Sequence, residues 1–183
     1  MTDIWLVRHG EATASFDQDT DPPLSDLGRE QAARTAEYLS QCVPDDAALL
    51  TSPKLRAIQT GEPFAALRES PLDVDRRFIE LPSPGALTER KEWIQRVLKG
   101  WWSELPESVH DWQRDIVATI QALQAPTVIF SHFLVINTVA AHMSGEDAVL
   151  QCLPANGSVH HLRVDEGNWQ WIARGEMLQS VVN

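Results

Sequence analysis

Two histidines of this 183-residue chain follow apolar stretches that are typical of buried strands. His9 comes two residues after the run 4–7, and His132 comes two residues after the run 127–130. A stretch that is apolar throughout favours a strand buried on both faces, and ligands of open α/β sheets bind beyond the carboxyl ends of such strands. Parallel neighbouring strands would therefore bring both imidazoles to the same edge of one sheet.

The residues beside His9 suit phosphoryl chemistry. A neutral imidazole nitrogen can attack phosphorus in line and form a phosphohistidine, while guanidinium groups and a second histidine stabilise the charge on the equatorial oxygens. Arg8 offers the planar fork that matches phosphate oxygens, and Gly10 permits a close approach of the backbone. These residue types predict that the chain binds a phosphate group and reacts with it.

Strand-like and helix-like stretches alternate along the chain. Apolar runs predict strands over 4–7, 47–51, 72–79, 127–130, 159–164 and 169–174, the last two joined by a hairpin turn. Caps and helical periodicity predict helices from the Ser25 cap to about 41, over 55–67 with a kink or early end at Pro63, and around 94–101, 109–123 and 133–143. We therefore expect an α/β fold, a three-layer α/β/α sandwich with a mostly parallel central sheet and helices on both faces.

Length and charge bound the domain organisation and the partners. The length favours one domain over two, so we expect residues 1–183 to form a single domain. Fifteen Lys and Arg against twenty-six Asp and Glu give a net charge of −11. Because this charge would repel phosphate backbones, it argues against a nucleic-acid or anionic-membrane partner. An anionic substrate would need a local cluster of cations to hold it.

Cysteine usage and hydropathy indicate a cytoplasmic protein. Cys42 and Cys152 do not make a disulfide framework. The N-terminus has no basic region and no apolar signal segment. The most apolar long window, 127–143, is interrupted by polar residues and does not span a bilayer. We therefore expect a cytoplasmic location and no membrane partner.

Common cofactor and metal motifs are absent from the sequence. It contains no CxxC, GxSxG, Walker A or HExxH pattern, so we expect no cofactor and no metal. Four tryptophans lie between residues 90 and 115, and we expect them to belong to the hydrophobic core: Trp93, Trp101, Trp102 and Trp112.

The segment Leu6–Glu11, which reads Leu-Val-Arg-His-Gly-Glu, resembles the signature of the histidine phosphatase superfamily, the phosphoglycerate mutase-like proteins. Later segments resemble further blocks of that family in the same chain order: Asp21–Ala32, Ser52–Thr60, Ser131–His132 and Asn156–Ser158. The resemblance spans most of the chain. Several motifs in the right order are far more specific than the first motif alone.

The resemblance implies a set of site residues with distinct roles: the nucleophile His9, the phosphate-binding residues Arg8, Arg56 and His132, and the general acid Glu80. Glu89 is the alternative acid, because Pro-Ser-Pro at 82–84 replaces the small and aromatic residues that usually follow this acid. An apolar setting would raise the pKa of the carboxyl, so that it could hold a proton near neutral pH.

Three positions depart from the family pattern. Ser15 stands where many members carry an asparagine that contacts phosphate, and Phe133 replaces the small residue that usually follows the second histidine. Asn137 replaces a common basic residue. These changes affect the expected substrate and leave the expected phosphoryl chemistry intact.

We expect a phosphomonoesterase that acts through a phosphohistidine on a small phosphorylated metabolite, without a metal. The alternatives are a phosphoglycerate-mutase-type transferase, a phosphohistidine-protein phosphatase and a non-catalytic module that binds a phosphorylated ligand. Little chain lies between Glu80 and Thr127 to build an enclosing lid, which favours hydrolysis over retention of the phosphoryl group. The intact histidines and arginines argue against the non-catalytic module. The sequence leaves the substrate and the oligomeric state open.

Overall fold

The chain forms six strands and five α-helices within residues 1–14, 18–83, 85–86 and 89–179, the part that a computed structural model describes. The strands are β1 (Thr2–Arg8), β2 (Ala48–Thr51), β3 (Asp73–Val74), β4 (Thr127–Ser131), β5 (Val159–Asp165) and β6 (Asn168–Ala173). The helices are α1 (Asp26–Cys42), α2 (Leu55–Arg68), α3 (Arg90–Leu98), α4 (Glu107–Ala122) and α5 (Phe133–Ser144). Short 3₁₀ turns cover Arg76–Phe78 and Trp102–Glu104.

All six strands pair in one sheet with the order β3-β2-β4-β1-β5-β6. The pairings among β3, β2, β4 and β1 are parallel, while β5 pairs antiparallel with both β1 and β6. The predicted hairpin between the last two strands is confirmed. Its turn places Glu166 and Gly167 at φ values of +47° and +87°, as a two-residue turn matched to the strand twist requires.

Helices cover both faces of the sheet, because successive side chains of a buried strand point to opposite sides. Trp5 and Val7 of β1 belong to the apolar cluster that includes Leu39 of α1 and Phe64 of α2. Their neighbours on the other face belong to a second cluster with α4 and α5: Ile4, Leu6, Ile116, Ile120, Val135 and Val139. The predicted three-layer α/β/α sandwich is confirmed.

The pairing of β1 with β4 sets the position of both histidines. Arg8 is in register with Ser131, so His9 and His132 each lie one residue beyond a paired position. The backbone N–H of His9 donates to the carbonyl of Ser131 at 3.0 Å, which extends the pairing by one more bond. The prediction that both imidazoles meet at one edge of the sheet is therefore confirmed.

Two predicted elements differ from the structure. The strand predicted over 72–79 is reduced to β3, because the Asp75 carboxylate accepts the Arg77 backbone N–H at 3.0 Å and starts a 3₁₀ turn. Pro63 does not end α2, which continues to Arg68. Phe64, which follows Pro63 directly, is fully buried against the sheet, and this packing outweighs the loss of the hydrogen bond that the proline removes.

The tryptophans do not all lie in the core as expected. Trp102 and Trp112 are buried in the cluster under α4 and α5. Trp101 is 51% exposed, so the expectation is wrong for this residue. Trp93 is only partly buried and lines the cleft described below.

Across the residues that the structure describes, no helix is long and apolar enough to cross a membrane.

A close approach of two backbones holds the loop after β1 against the first turn of α1. A Cβ atom added at Gly28 would lie 2.0 Å from the carbonyl oxygen of Glu11, and one at Gly10 would lie 2.5 Å from the carbonyl oxygen of Gly28. The Ser25 hydroxyl caps α1 by accepting the Gly28 N–H, and it donates to the Glu11 carboxylate at 2.7 Å. Glycine is therefore required at both positions so that the loop bearing His9 can lie on the helix.

Gly28→Ala is expected to lower the free energy of unfolding by about 1–3 kcal/mol, because the clash with Glu11 exceeds the gain in helix propensity. Denaturant titration measures this loss. Gly100→Ala is the matched control, since its added Cβ would meet its nearest atom at 3.4 Å and the change should stay within about 0.5 kcal/mol. Equal stability of the two variants would contradict the proposed constraint at Gly28.

Candidate active site

His9 lies just beyond the end of β1 with one ring nitrogen committed to the backbone. Its Nδ1 is 2.7 Å from the carbonyl oxygen of Gly10, and because a carbonyl only accepts, Nδ1 carries the proton. The other nitrogen, Nε2, therefore holds a lone pair. It accepts a hydrogen bond from Nε of Arg56 at 3.1 Å. The arrangement presents a neutral imidazole with its nucleophilic nitrogen directed at Arg56.

Two side-chain contacts hold the backbone around His9, and a third links one of them to Arg56. The Asn156 side-chain amide donates to the His9 carbonyl at 3.1 Å. The Gly10 N–H donates to the Thr60 hydroxyl at 3.0 Å, and that hydroxyl donates to the Arg56 carbonyl at 2.6 Å. Since Thr60 and Arg56 both lie on α2, the bonds through Thr60 link the backbone of the nucleophile to the helix that carries the guanidinium.

Two guanidinium groups lie beside His9. Arg8 donates through Nη1 to the Pro154 carbonyl at 2.6 Å, and its guanidinium carbon lies 5.1 Å from the centre of the Phe133 ring. Arg56 is 7% exposed, and its Nη1 lies 4.0 Å from a carboxylate oxygen of Asp21. Within the described part of the chain, the buried atoms Nε of Arg8 and Nη1 of Arg56 have no hydrogen-bond partner.

His132 is fully buried and faces the ring of His9, with ring centres 5.2 Å apart and planes at 63°. Its Nε2 lies 2.6 Å from the hydroxyl of Ser52, which also accepts the Lys54 backbone N–H at 3.3 Å. If Nε2 of His132 carried the proton, it could not accept a hydrogen bond, and the buried Ser52 hydroxyl would lose the acceptor for its own proton. The hydroxyl therefore donates to Nε2. Nδ1 of His132 then carries a proton, and it has no partner among the described residues.

Glu80 reaches the site from the loop after β3. One carboxyl oxygen accepts the Leu81 N–H at 3.1 Å, and the other accepts the N–H of Leu134, in the first turn of α5, at 3.3 Å. Glu80 lines the same cleft as Arg8, His9 and Arg56. The alternative acid, Glu89, is exposed and is not among the described residues that line the cleft.

The cleft has a volume of about 1370 Å³. His9 lines it together with residues from α1 on one side and α3 on the other. In the described residues, no group of three or more His, Cys, Asp or Glu side chains is placed to hold a metal ion.

Burial and mutual repulsion shift the pKa values of the cluster. Burial, followed by the charges of Arg56 and Arg8, lowers the pKa of His9 well below its ordinary value. Burial and the charge of Arg56 likewise lower the pKa of His132. Burial lowers the pKa of Arg8 to about 10, against the attraction of Glu80. Burial raises the pKa of Glu80, although two backbone N–H groups and both arginines oppose this rise. Compared with aqueous solution, the site therefore favours the neutral form of both histidines and the protonated form of the Glu80 carboxyl.

The structure brings together all five residues implied by the resemblance. Three buried N–H groups in this cluster lack a partner in the described part of the chain: Nε of Arg8, Nη1 of Arg56 and Nδ1 of His132, called the donor cluster below. Buried donors without partners are costly, and a bound anion would satisfy them. The arrangement can therefore hold the oxygens of a phosphoryl group next to Nε2 of His9.

Sequence reasoning missed several residues that position this site. It assigned no role to Ser52, Thr60 or Asn156, although all three lie in segments that it singled out. It noted Phe133 only as a departure, whereas the ring contacts the Arg8 guanidinium. Ser15 lies outside the described residues.

The family model described as "Histidine phosphatase superfamily (branch 1)" matches residues 4–176. A protein of Picosynechococcus sp. described as uncharacterized is 32% identical over 108 residues, which cover 58% of this chain and 61% of that protein. The chain therefore spans less than two thirds of this relative's length.

Solved structures resemble the fold over nearly the whole chain. YhfR of Bacillus stearothermophilus is 22% identical with a TM-score of 0.78, covering 97% of this chain and 98% of that one. A phosphoserine phosphatase of Entamoeba histolytica, solved with 3-phosphoglyceric acid, is 18% identical with a TM-score of 0.75, again covering 97% and 98%. At these identities the likeness shows the fold.

At about pH 6, where an ordinary histidine is mostly protonated, His9 and His132 are expected to remain neutral with the proton on Nδ1. The expectation follows from their lowered pKa values and from the Gly10 and Ser52 contacts. Long-range ¹H–¹⁵N correlation spectra of the imidazoles distinguish this form from the other tautomer and from the cation.

Ser52→Ala removes the donor to Nε2 of His132, so its spectrum should move toward a mixture of tautomers while that of His9 stays unchanged. Ser40→Ala, which removes an exposed hydroxyl of α1, is the control and should change neither ring. Doubly protonated rings at about pH 6, or a His132 spectrum that ignores Ser52→Ala, would refute the tautomer assignment.

Proposed function

The chain belongs to branch 1 of the histidine phosphatase superfamily, and on this basis we propose that it hydrolyses small phosphomonoesters through a phosphohistidine on His9. The observation that carries the proposal is the donor cluster, three buried N–H groups without partners beside a neutral imidazole. The donor cluster and the neutral imidazole support the proposal only together. A module that merely binds phosphate would need no nucleophile, and a histidine outside a phosphate site would need no cationic surroundings. The phosphatase among the structures of similar fold supports a phosphomonoester as the substrate class.

In the first step, Nε2 of His9 attacks phosphorus and the bond from phosphorus to the ester oxygen breaks. The proton of the Glu80 carboxyl goes to that oxygen, which leaves as an alcohol. Arg56 transfers its Nε hydrogen bond from the imidazole to a phosphate oxygen as the lone pair is used. The donor cluster binds the equatorial oxygens, where charge must be stabilised in the transition state.

In the second step, water attacks the phosphohistidine and the phosphorus–nitrogen bond breaks. The Glu80 carboxylate accepts a proton from this water, which returns the acid to its starting form and releases inorganic phosphate. The histidine leaves with its lone pair restored on Nε2, and Nδ1 keeps its proton throughout because it stays bonded to the Gly10 carbonyl.

The pKa shifts define the pH range of this mechanism. His9 must be neutral to attack, and its lowered pKa keeps it neutral at acidic pH where an ordinary histidine is charged. Glu80 must be protonated, and its raised pKa extends that form toward neutral pH. Activity should therefore be retained on the acidic side of neutral and fall as rising pH removes the proton of Glu80.

Hydrolysis is favoured over a mutase reaction by the open cleft, because a mutase must shield its phosphohistidine from water. The proposal requires no metal, since the two arginines supply the positive charge that the phosphoryl group needs and, together with the neutral His132, the hydrogen bonds.

Rapid quenching of protein dialysed against EDTA during turnover is expected to trap acid-labile, base-stable phosphate on His9. His9→Ala should abolish this species and lower turnover on the order of 10³-fold or more, since it removes a covalent nucleophile. His142→Ala, at an exposed histidine near the end of α5, is the control and should retain activity. Phosphate on a serine, or activity that returns only when Mg²⁺ or Zn²⁺ is added, would contradict the mechanism.

Glu80→Gln is expected to slow alkyl phosphates by roughly 10²–10⁴-fold, because their leaving oxygens need a proton. The effect on p-nitrophenyl phosphate should be much smaller, since its leaving group departs without protonation. Steady-state kinetics on both esters measure the contrast, and the alkaline decline of activity should be lost with the carboxyl.

Glu89→Gln is the matched control and should leave both esters nearly unaffected, because Glu89 is exposed. The reverse pattern would transfer the acid role to Glu89. Equal losses on both esters for Glu80→Gln would show that Glu80 positions phosphate or water and is not the acid.

A further inference from the structure

One side of the cleft carries an apolar surface. Six residues form this surface, called the apolar wall below: Leu81, Trp93, Ile94, Leu98, Phe133 and Leu134. Each of them belongs to the hydrophobic cluster under α4 and α5 or packs against it. Trp93, Ile94 and Leu98 come from α3, and Phe133 and Leu134 from the start of α5.

The wall adjoins the carboxyl of Glu80. The two N–H groups that hold the Glu80 oxygens belong to Leu81 and Leu134, which are both members of the wall. An ester oxygen that receives its proton from Glu80 therefore lies beside the wall. The carbon atoms attached to that oxygen, which form the leaving group, must extend along this side of the cleft.

Polar residues line the opposite side of the cleft. Gln31, Arg34 and Tyr38 project from α1, which packs on the other face of the sheet. On α3, the exposed Lys91 and Gln95 flank the apolar residues. A leaving group rich in hydroxyls would lose water against the wall without gaining hydrogen bonds in return.

Building on the proposed function, we propose that the preferred substrates are phosphomonoesters whose leaving alcohol or phenol carries an apolar or aromatic body. Trp93 is the main specificity residue, because its indole offers the largest contact area of the wall. Phe133 has a second role, since its ring also contacts the Arg8 guanidinium and so links the wall to the phosphate.

The n-alkyl phosphates from ethyl to hexyl test the wall, because they share charge and leaving-group basicity and differ only in apolar length. The value of kcat/KM should rise about two- to fourfold per methylene as each one leaves water. The value of kcat/KM should also be higher for hexyl phosphate than for sorbitol 6-phosphate, a six-carbon polyol ester, although the hydroxyls of sorbitol make its oxygen the better leaving group.

Trp93→Ala should flatten the dependence on chain length, and Ile94→Ala should reduce it, which provides a second variant if the first folds poorly. Trp101→Ala is the matched control, since Trp101 is 51% exposed and is not among the described residues that line the cleft. It should retain the full dependence on chain length.

The outcomes separate this inference from the function on which it rests. Turnover of these esters with a flat or falling dependence on chain length, or a preference for sorbitol 6-phosphate, would overturn the apolar leaving-group site and leave the phosphatase reaction standing. If Trp93→Ala and Ile94→Ala both leave the dependence of kcat/KM on chain length unchanged, α3 has no role in binding the leaving group. Absence of turnover and of phosphohistidine with every ester would overturn the proposed function itself.

Discussion

The buried guanidinium of Arg56 and the half-buried guanidinium of Arg8 share their surroundings with two neutral imidazoles, and the rest of the site compensates for this arrangement. A buried cation is costly unless it is paired or hydrogen-bonded, and burial lowers the pKa of Arg8 to about 10. The Pro154 carbonyl and the Phe133 ring stabilise Arg8 in part, but Nε of Arg8 and Nη1 of Arg56 have no hydrogen-bond partner among the residues that the structure describes. A phosphoryl group would satisfy both atoms. Burial, followed by the charges of Arg56 and Arg8, lowers the pKa of His9, so the same surroundings favour a bound anion and keep the nucleophile neutral.

The fold keeps these groups together by combining one rigid pairing with several long-range contacts. The β1–β4 register fixes His9 beside His132, and the backbone contact between Gly10 and Gly28 holds the loop after β1 on α1. The Thr60 hydroxyl then ties this loop to α2 and to Arg56. Because α1 and α2 both contact this loop, the site depends on the packing of their helical layer and not on the sheet alone.

Sequence reasoning found the parts of the site that local pattern encodes. His9 and His132 follow apolar strands, and parallel pairing makes their meeting predictable, whereas Glu80 was reached only through the family resemblance. Ser52 could not be assigned a role because its partner His132 lies 80 residues away in sequence. Asn156 and His9 are 147 residues apart. Propensity also failed where tertiary packing dominates, as at Pro63 within α2, and amphipathic periodicity did not reveal that Trp101 faces solvent while Trp93 lines the cleft.

In the proposed mechanism, the donor cluster binds the equatorial oxygens of a phosphoryl group under attack by Nε2 of His9. A crystal structure with orthovanadate, which adopts the five-coordinate geometry of the transition state, tests this most directly. We expect vanadium to be bonded to Nε2 of His9, with equatorial oxygens within about 3.2 Å of Nε of Arg8, Nη1 of Arg56 and Nδ1 of His132. We also expect the apical oxygen opposite His9 to face Glu80. Vanadium bound to another residue, or a donor cluster that stays unpartnered in the complex, would contradict the account.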